Sequence, residues 1–212
     1  MKQQIKIIYM AVLAILIWLA LGIQFYISTI KYMGGGRTFG GAIVQLLSYF
    51  TIQNNFLVAL ALTLLLLWPA SKWGQFFSGP SVLGALSLYI VIVGLVYQLI
   101  LRKEHTQYGW FRFCDEVFHS VSPPAFLLFW LVFTGKGNLP WGKAFSWLIY
   151  PFIYFIYIIV RGAITGYYPY SFIDGNKLSY GQIGVNFIFL LVTFLLIGFG
   201  LIGISRLAKK GD

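Results

Sequence analysis

Two short stretches carry the side chains best suited to chemistry. The first reads Ser48-Tyr49-Phe50-Thr51-Ile52-Gln53-Asn54-Asn55. Thr51, Asn54 and Asn55 fall at i, i+3 and i+4, so on a helix they share one face. A hydroxyl beside amide donors suits a nucleophile beside an oxyanion site. The same set suits hydrogen bonds between helices, and a threonine can also bond a carbonyl one turn back.

The second stretch reads Cys114-Asp115-Glu116-Val117-Phe118-His119-Ser120-Val121-Ser122-Pro123-Pro124. Asp115 and His119 stand at i and i+4, within reach of one another on a helix. A carboxylate on one ring nitrogen fixes the tautomer and leaves the other nitrogen free as a base. Glu116 and solvent are the alternatives to Asp115 in that role. The two prolines interrupt the helix and free carbonyls. A structural hydrogen bond across a helix bundle is the plainer reading of His119. The other histidine, His105, lies among loop charges and reads as solvated.

These residues must be held by membrane helices. Of the 212 residues, 59% are hydrophobic and only 9% are charged. A soluble domain carries roughly 25% charged residues, so this chain has too little polar surface to meet water. Six stretches approach the roughly 20 apolar residues a span requires. They run Ile7 to Thr29, Ala42 to Trp68, Val82 to Leu101, Asp115 to Phe133, Phe145 to Arg161 and Ile183 to Ser205. The expected fold is all-α, a polytopic bundle of six transmembrane helices with short loops forming one domain over residues 1–212. The first run is too long for the apolar core of a signal peptide. The runs lack the alternation of a membrane β-barrel, and no internal repeat suggests inverted transporter halves.

The formal charge of +10 is scattered through loops and tail, with no basic stripe or nucleic-acid motif. It reads as a topology signal and as contact with anionic headgroups. Lys2, Lys6, Lys72, Lys136, Lys143, Arg206, Lys209 and Lys210 fall on one side. Lys31, Arg37, Arg102, Lys103, Arg112 and Lys177 fall on the other. The balance places both termini in the cytoplasm, in a multi-pass protein of the cell membrane. The single cysteine, Cys114, excludes an internal disulfide and a thiolate metal site, and reads as a small packed side chain. One histidine at membrane depth excludes a bis-histidine haem. No cofactor or metal is expected.

A third region reads Tyr150-Pro151, Tyr154, Tyr157, Arg161-Gly162, Gly166, Tyr167-Tyr168-Pro169-Tyr170 and Asp174. Arg161 at the end of a span wants an anion, either Asp174 or a lipid carboxylate or phosphate. Gly162 and Gly166 have the spacing of a close helix contact. An aromatic belt with a snorkelling arginine is the bland alternative.

Three motifs together resemble a known family. They are Phe50-Thr51-Ile52-Gln53-Asn54-Asn55, His119 with Ser122-Pro123, and Tyr150-Pro151 with Arg161-Gly162, Tyr168-Pro169-Tyr170 and Asp174. The chain is similar, over nearly its whole length, to bacterial six-pass membrane proteins grouped with the animal androgen-induced and androgen-dependent hydrolases. Those animal enzymes cleave fatty acid esters of hydroxy fatty acids, with a threonine and a histidine as catalytic pair. The resemblance implies Thr51 as nucleophile and His119 as base. Asp115, Asn54 and Asn55 would support them, and Arg161, Asp174 and Tyr168 would bind substrate. Ser48, Ser120 and Ser122 are rival nucleophiles. The implied partners are membrane lipids and a lipid or fatty-acyl ester substrate, with no stable protein partner. A transporter, channel or lipid-binding receptor would use the same residues without a covalent step. A purely structural role would use them to join helices.

Overall fold

The structure is a computed structural model that describes residues 1–104 and 106–209. His105 and Lys210 therefore lie outside the described residues. Among those described there are helices and no strands. Six helical segments are long and apolar enough to cross a membrane: residues Lys2–Gly34, Phe50–Leu67, Pro80–Leu99, Gly109–Phe133, Lys143–Thr165 and Tyr180–Ala208. The chain divides into two compact units, residues 1–135 and 136–212.

The first unit begins with α1 (Lys2–Gly34), α2 (Phe39–Leu47) and α3 (Phe50–Leu67). The sequence predicts one continuous helix from Ala42 to Trp68; the structure breaks it at Ser48 and Tyr49. Side chains compensate the break. The Ser48 hydroxyl donates to the Val44 carbonyl at 2.6 Å, and the Gln53 amide donates to the Leu47 carbonyl at 2.8 Å. Tyr49 then turns extended, and its carbonyl accepts from the N–H groups of Ile52 and Gln53 to start α3. Thr51 consequently sits in the first turn of a helix rather than in the middle of one.

The chain continues through α4 (Lys72–Ser78), α5 (Pro80–Leu99), α6 (Gly109–Glu116), a π-helical turn (Val117–Val121) and α7 (Ser122–Phe133). The predicted fourth span begins at Asp115, whereas the helix starts at Gly109 and carries the π turn through its centre. Pro123 and Pro124 have no N–H to continue the α ladder. The ladder widens by one residue, and the Ser122 N–H donates to the Val117 carbonyl five positions back.

The core of this unit is apolar and tightly packed. Ile17, Ala20, Val58, Leu62, Leu88, Phe126 and Trp130 are essentially inaccessible. Small residues such as Ala20 and Ala59 let helix backbones approach. Ile8, Ile15 and Leu19 on α1 are exposed, as suits a lipid-facing stripe.

The second unit holds α8 (Lys143–Ser146), α9 (Ile149–Thr165), a single 3-10 turn at Ser171–Ile173 and α10 (Tyr180–Lys209). Its small core centres on Ile158, Ile173 and Ile183. Gly166 ends α9 at φ +69°, a left-handed cap whose N–H donates to the Gly162 carbonyl at 2.8 Å. Gly162 receives the Tyr168 ring, because a Cβ there would lie 2.1 Å from a ring carbon. The two glycines that read as a helix-contact pair thus serve as a cap and a ring notch.

Candidate functional site

The site is built where α3, α5 and the π turn meet inside the first unit. Thr51 is brought to it by the break before α3. Its Oγ1 lies 3.2 Å from His119 Nε2. His119 Nδ1 lies 2.9 Å from the main-chain carbonyl of Asp115 and 3.1 Å from its Oδ1. A main-chain carbonyl can only accept, so Nδ1 carries the proton in the neutral ring. Nε2 is then the acceptor and faces the Thr51 hydroxyl, which donates to it.

Asp115 is held in turn from α5. The Tyr97 hydroxyl donates to Asp115 Oδ2. The Tyr97 ring also stacks on His119, with centroids 4.0 Å apart and planes 10° from parallel. This approach depends on Gly94, one turn earlier. A Cβ there would lie 2.9 Å from Pro123 Cβ and 3.3 Å from the His119 carbonyl.

A second set of contacts runs beside the first. Glu116 and Ser120 repeat the i, i+4 spacing one residue later, and Gln98 follows Tyr97. Arg102 donates to Glu116 Oε1 at 2.8 Å and to Gln98 Oε1 at 2.8 Å. Gln98 donates to Ser120 Oγ at 2.9 Å, and Ser120 donates to Glu116 Oε2 at 2.5 Å. The four side chains close a ring of hydrogen bonds that ties α5 to the π turn. Exposure grades outward along these groups. Thr51 is 8% exposed, the His119 and Asp115 side chains 11% and 18%, and those of Glu116 and Arg102 33% and 44%.

Asn54 and Asn55 are fully buried. Asn54 donates to the Phe50 carbonyl at 2.8 Å. Asn55 donates to the Thr51 carbonyl at 3.0 Å and, at 3.4 Å, to the Phe118 carbonyl beside the bend. Their amide nitrogens are therefore engaged, and their buried Oδ1 atoms are left without a hydrogen-bond partner. An oxyanion needs donors: Asn55 uses both of its amide hydrogens on carbonyls, and Asn54 uses one of its two. The two asparagines anchor the backbone on both sides of the Thr51–His119 contact.

Of the rival hydroxyls, Ser48 bonds a carbonyl of α2 and Ser120 belongs to the outer ring. Ser122 is fully buried, and its hydroxyl has no partner. Cys114 is buried with its Sγ 3.4 Å from the Ala20 carbonyl. Among the described residues, no three His, Cys, Asp or Glu side chains converge as metal ligands would.

Arg161, Tyr168 and Asp174 belong to the second unit, around the link from α9 to α10. Arg161 donates to the Tyr167 carbonyl at 3.4 Å and lies over the Tyr167 ring at 5.5 Å. Asp174 accepts from the Asn176 N–H at 3.0 Å and lies 3.7 Å from Lys177 Nζ. Tyr168 fits between Gly162 and Gly175. Its hydroxyl is pushed above the usual tyrosine range by desolvation, then by its hydrogen bond to Tyr180 and the nearby charge of Asp174.

Tyr97, Gln98 and Arg102 are the site residues that sequence reasoning missed. Their signal is a polar pair closing an apolar run, followed by a cation four residues after Gln98. It is as legible as Asp115–His119, but it resembles an ordinary interfacial helix end.

No family model matches the chain, and neither curated proteins nor solved structures give a match.

Proposed function

We propose that this chain is an intramembrane hydrolase of lipid esters, with Thr51 as nucleophile and His119 as general base. We place it in the six-pass family that its three motifs resemble. The observation that carries the reading is the ordered series Thr51 Oγ1 to His119 Nε2, with His119 Nδ1 to Asp115. A threonine hydroxyl is a weak nucleophile that needs a base at hydrogen-bond range and a third group to orient that base.

In the proposed reaction Thr51 Oγ1 attacks the ester carbonyl as His119 Nε2 takes its proton. The carbonyl electrons move to oxygen and form a tetrahedral oxyanion. Collapse expels the alkoxide, which receives the proton from Nε2 and leaves as the alcohol. An acyl group remains on Thr51. Water then attacks it with His119 again as base, releasing the fatty acid and restoring the hydroxyl. Asp115 stabilises the transient imidazolium. Thr51 lies in the first turn of α3, at the positive end of the helix dipole. That end of the helix supports the oxyanion beside the second amide hydrogen of Asn54, since Asn55 has both of its own engaged.

The site lies on the side of the first unit where α1 ends and α6 begins, with Lys31 Nζ 5.2 Å over the Phe111 ring. With both termini cytoplasmic, that side faces away from the cytoplasm.

The test is turnover of a detergent-dispersed fatty-acyl ester by purified protein. Thr51→Ala abolishes turnover in this reading while expression and thermal midpoint persist. Turnover retained in Thr51→Ala sinks the assignment. The continuous chain from Tyr97 through Asp115 and His119 to Thr51 also favours a second reading, a proton-coupled carrier with no covalent step. It predicts transport without an acyl-enzyme.

A further inference from the structure

We propose that Tyr97 is a positioning residue that locks the Asp115 carboxylate and the His119 imidazole into the one arrangement able to accept the Thr51 proton. The argument starts from the freedom these groups would otherwise have. A histidine ring can turn over about its χ2 axis, and a carboxylate can rotate to offer either oxygen. Asp115 lies in the last turn of α6 and His119, four residues on, lies in the π turn whose ladder is already widened. The Asp115 main-chain carbonyl holds Nδ1 and its proton, but it fixes neither the carboxylate torsion nor the tilt of the ring.

Tyr97 constrains both from a different helix. Its hydroxyl donates to Asp115 Oδ2, leaving Oδ1 toward His119 Nδ1. Its ring lies flat on the imidazole at 4.0 Å, which opposes tilting of the His119 plane. One side chain therefore fixes the acceptor and the plane of the ring. Tyr97 is 7% exposed, so water competes little for the hydroxyl.

The outer ring of hydrogen bonds holds Tyr97 in place. Arg102 lies over the Tyr97 ring at 5.9 Å while bonded to Glu116 and Gln98. Gln98, the next residue on α5, bonds Ser120, the residue after His119. Consecutive residues of α5 thus engage consecutive i, i+4 pairs of the facing helix. A slip of α5 would break both sets at once, and Gly94 against Pro123 sets the distance at which they mesh. The groups facing His119 are Thr51 from α3, Asp115 from its own helix and Tyr97 from α5, with Arg102 behind Tyr97.

The experiment has two arms, and only the kinetic arm rests on the hydrolase reading. The first records imidazole nitrogen shifts of His119 by NMR at alkaline pH. It uses full-length protein labelled at histidine, in a His105→Gln background that leaves one signal set. The expected result is a single tautomer with the proton on Nδ1 in both proteins, with the Nδ1 and Nε2 shifts displaced in Tyr97→Phe as the Asp115 carboxylate turns out of line with the ring. The second arm measures hydrolysis of a dispersed fatty-acyl ester. Tyr97→Phe, which keeps the stack and loses the hydrogen bond, lowers kcat about ten- to hundredfold with KM nearly unchanged. Tyr97→Leu, which loses both contacts, lowers it further. Unchanged imidazole nitrogen shifts in Tyr97→Phe, or wild-type kcat in both variants, overturns the positioning role. If wild-type protein shows no Thr51-dependent hydrolysis, the hydrolase reading fails and the NMR arm alone decides the role of Tyr97.

Discussion

His119 Nδ1 faces the main-chain carbonyl of Asp115 at 2.9 Å, and this contact sets which ring nitrogen carries the proton. A carbonyl cannot donate, so Nδ1 holds the hydrogen and Nε2 is left to accept from Thr51. The Asp115 carboxylate at 3.1 Å strengthens that choice and stabilises the positive charge that forms when Nε2 is protonated. Asp115→Asn keeps the shape but offers an amide that can turn its NH2 toward Nδ1. The expected result is a fall in kcat of about 10²–10⁴, with a thermal midpoint close to wild type. Ester kinetics beside a melting curve check it; an Asn variant of full activity removes Asp115 from the mechanism.

The outer ring predicts a contrast. Arg102 and Glu116 are partly exposed, and pairs of that kind contribute about 0–1 kcal/mol. Glu116→Gln therefore leaves the melting temperature within a few degrees of wild type. It lowers turnover far less than Asp115→Asn. Equal losses in the two variants would show that the carboxylates share the work.

Gly94 is predicted to be intolerant of any side chain. A Cβ would meet Pro123 at 2.9 Å, and the proline ring cannot fold away. Gly94→Ala should destabilise the protein by about 1–3 kcal/mol through overpacking. It should also weaken the Tyr97 stack, readable as a lower kcat at unchanged expression. A wild-type melting curve would mean that α5 and the bend separate at no cost.

Asn55 holds a carbonyl on each side of the site. Asn55→Leu removes both hydrogen bonds from a fully buried position. The Thr51 carbonyl keeps its ladder bond within α3, so the loss falls on the buried Phe118 carbonyl and costs about 1–3 kcal/mol. A drop in thermal midpoint with loss of turnover is expected. A variant as stable as wild type would show that the Phe118 carbonyl finds another donor.

Outside the spans, burial lowers the Lys136 amine from its ordinary value to about 8. Between about 8 and the ordinary value, the unfolded chain binds the proton that the folded chain has released. Stability therefore rises with pH across that window and is flat below it. Lys136→Gln should flatten the slope in melts taken across the window. A separate check is amine labelling at mildly alkaline pH, where Lys136 should react ahead of the exposed lysines. An unchanged slope and uniform labelling would place Lys136 in solvent.

The six spans were legible because a run of apolar residues of bilayer length has few alternatives in a chain with so little charge. The i, i+4 spacing likewise made Asp115 and His119 neighbours before any coordinates. The break at Ser48–Tyr49 was not legible, since neither proline nor glycine marks it. It depends on Ser48 and Gln53 taking two carbonyls that only the folded geometry identifies. Pro123 and Pro124 announced a bend but not its form, because a kink and a π turn both answer a missing N–H. Tyr97 was hidden for a different reason. At the end of an apolar helix a tyrosine looks like a membrane anchor, and its partner depends on how α5 is rotated against a helix two links away.

The most direct test of the central claim is the site of covalent modification by a fluorophosphonate, mapped by mass spectrometry on purified protein. The account predicts an adduct on the Thr51 hydroxyl that disappears in Thr51→Ala and in His119→Ala, with both variants still folded. An adduct on another hydroxyl, or none on folded wild-type protein that hydrolyses esters, would contradict it.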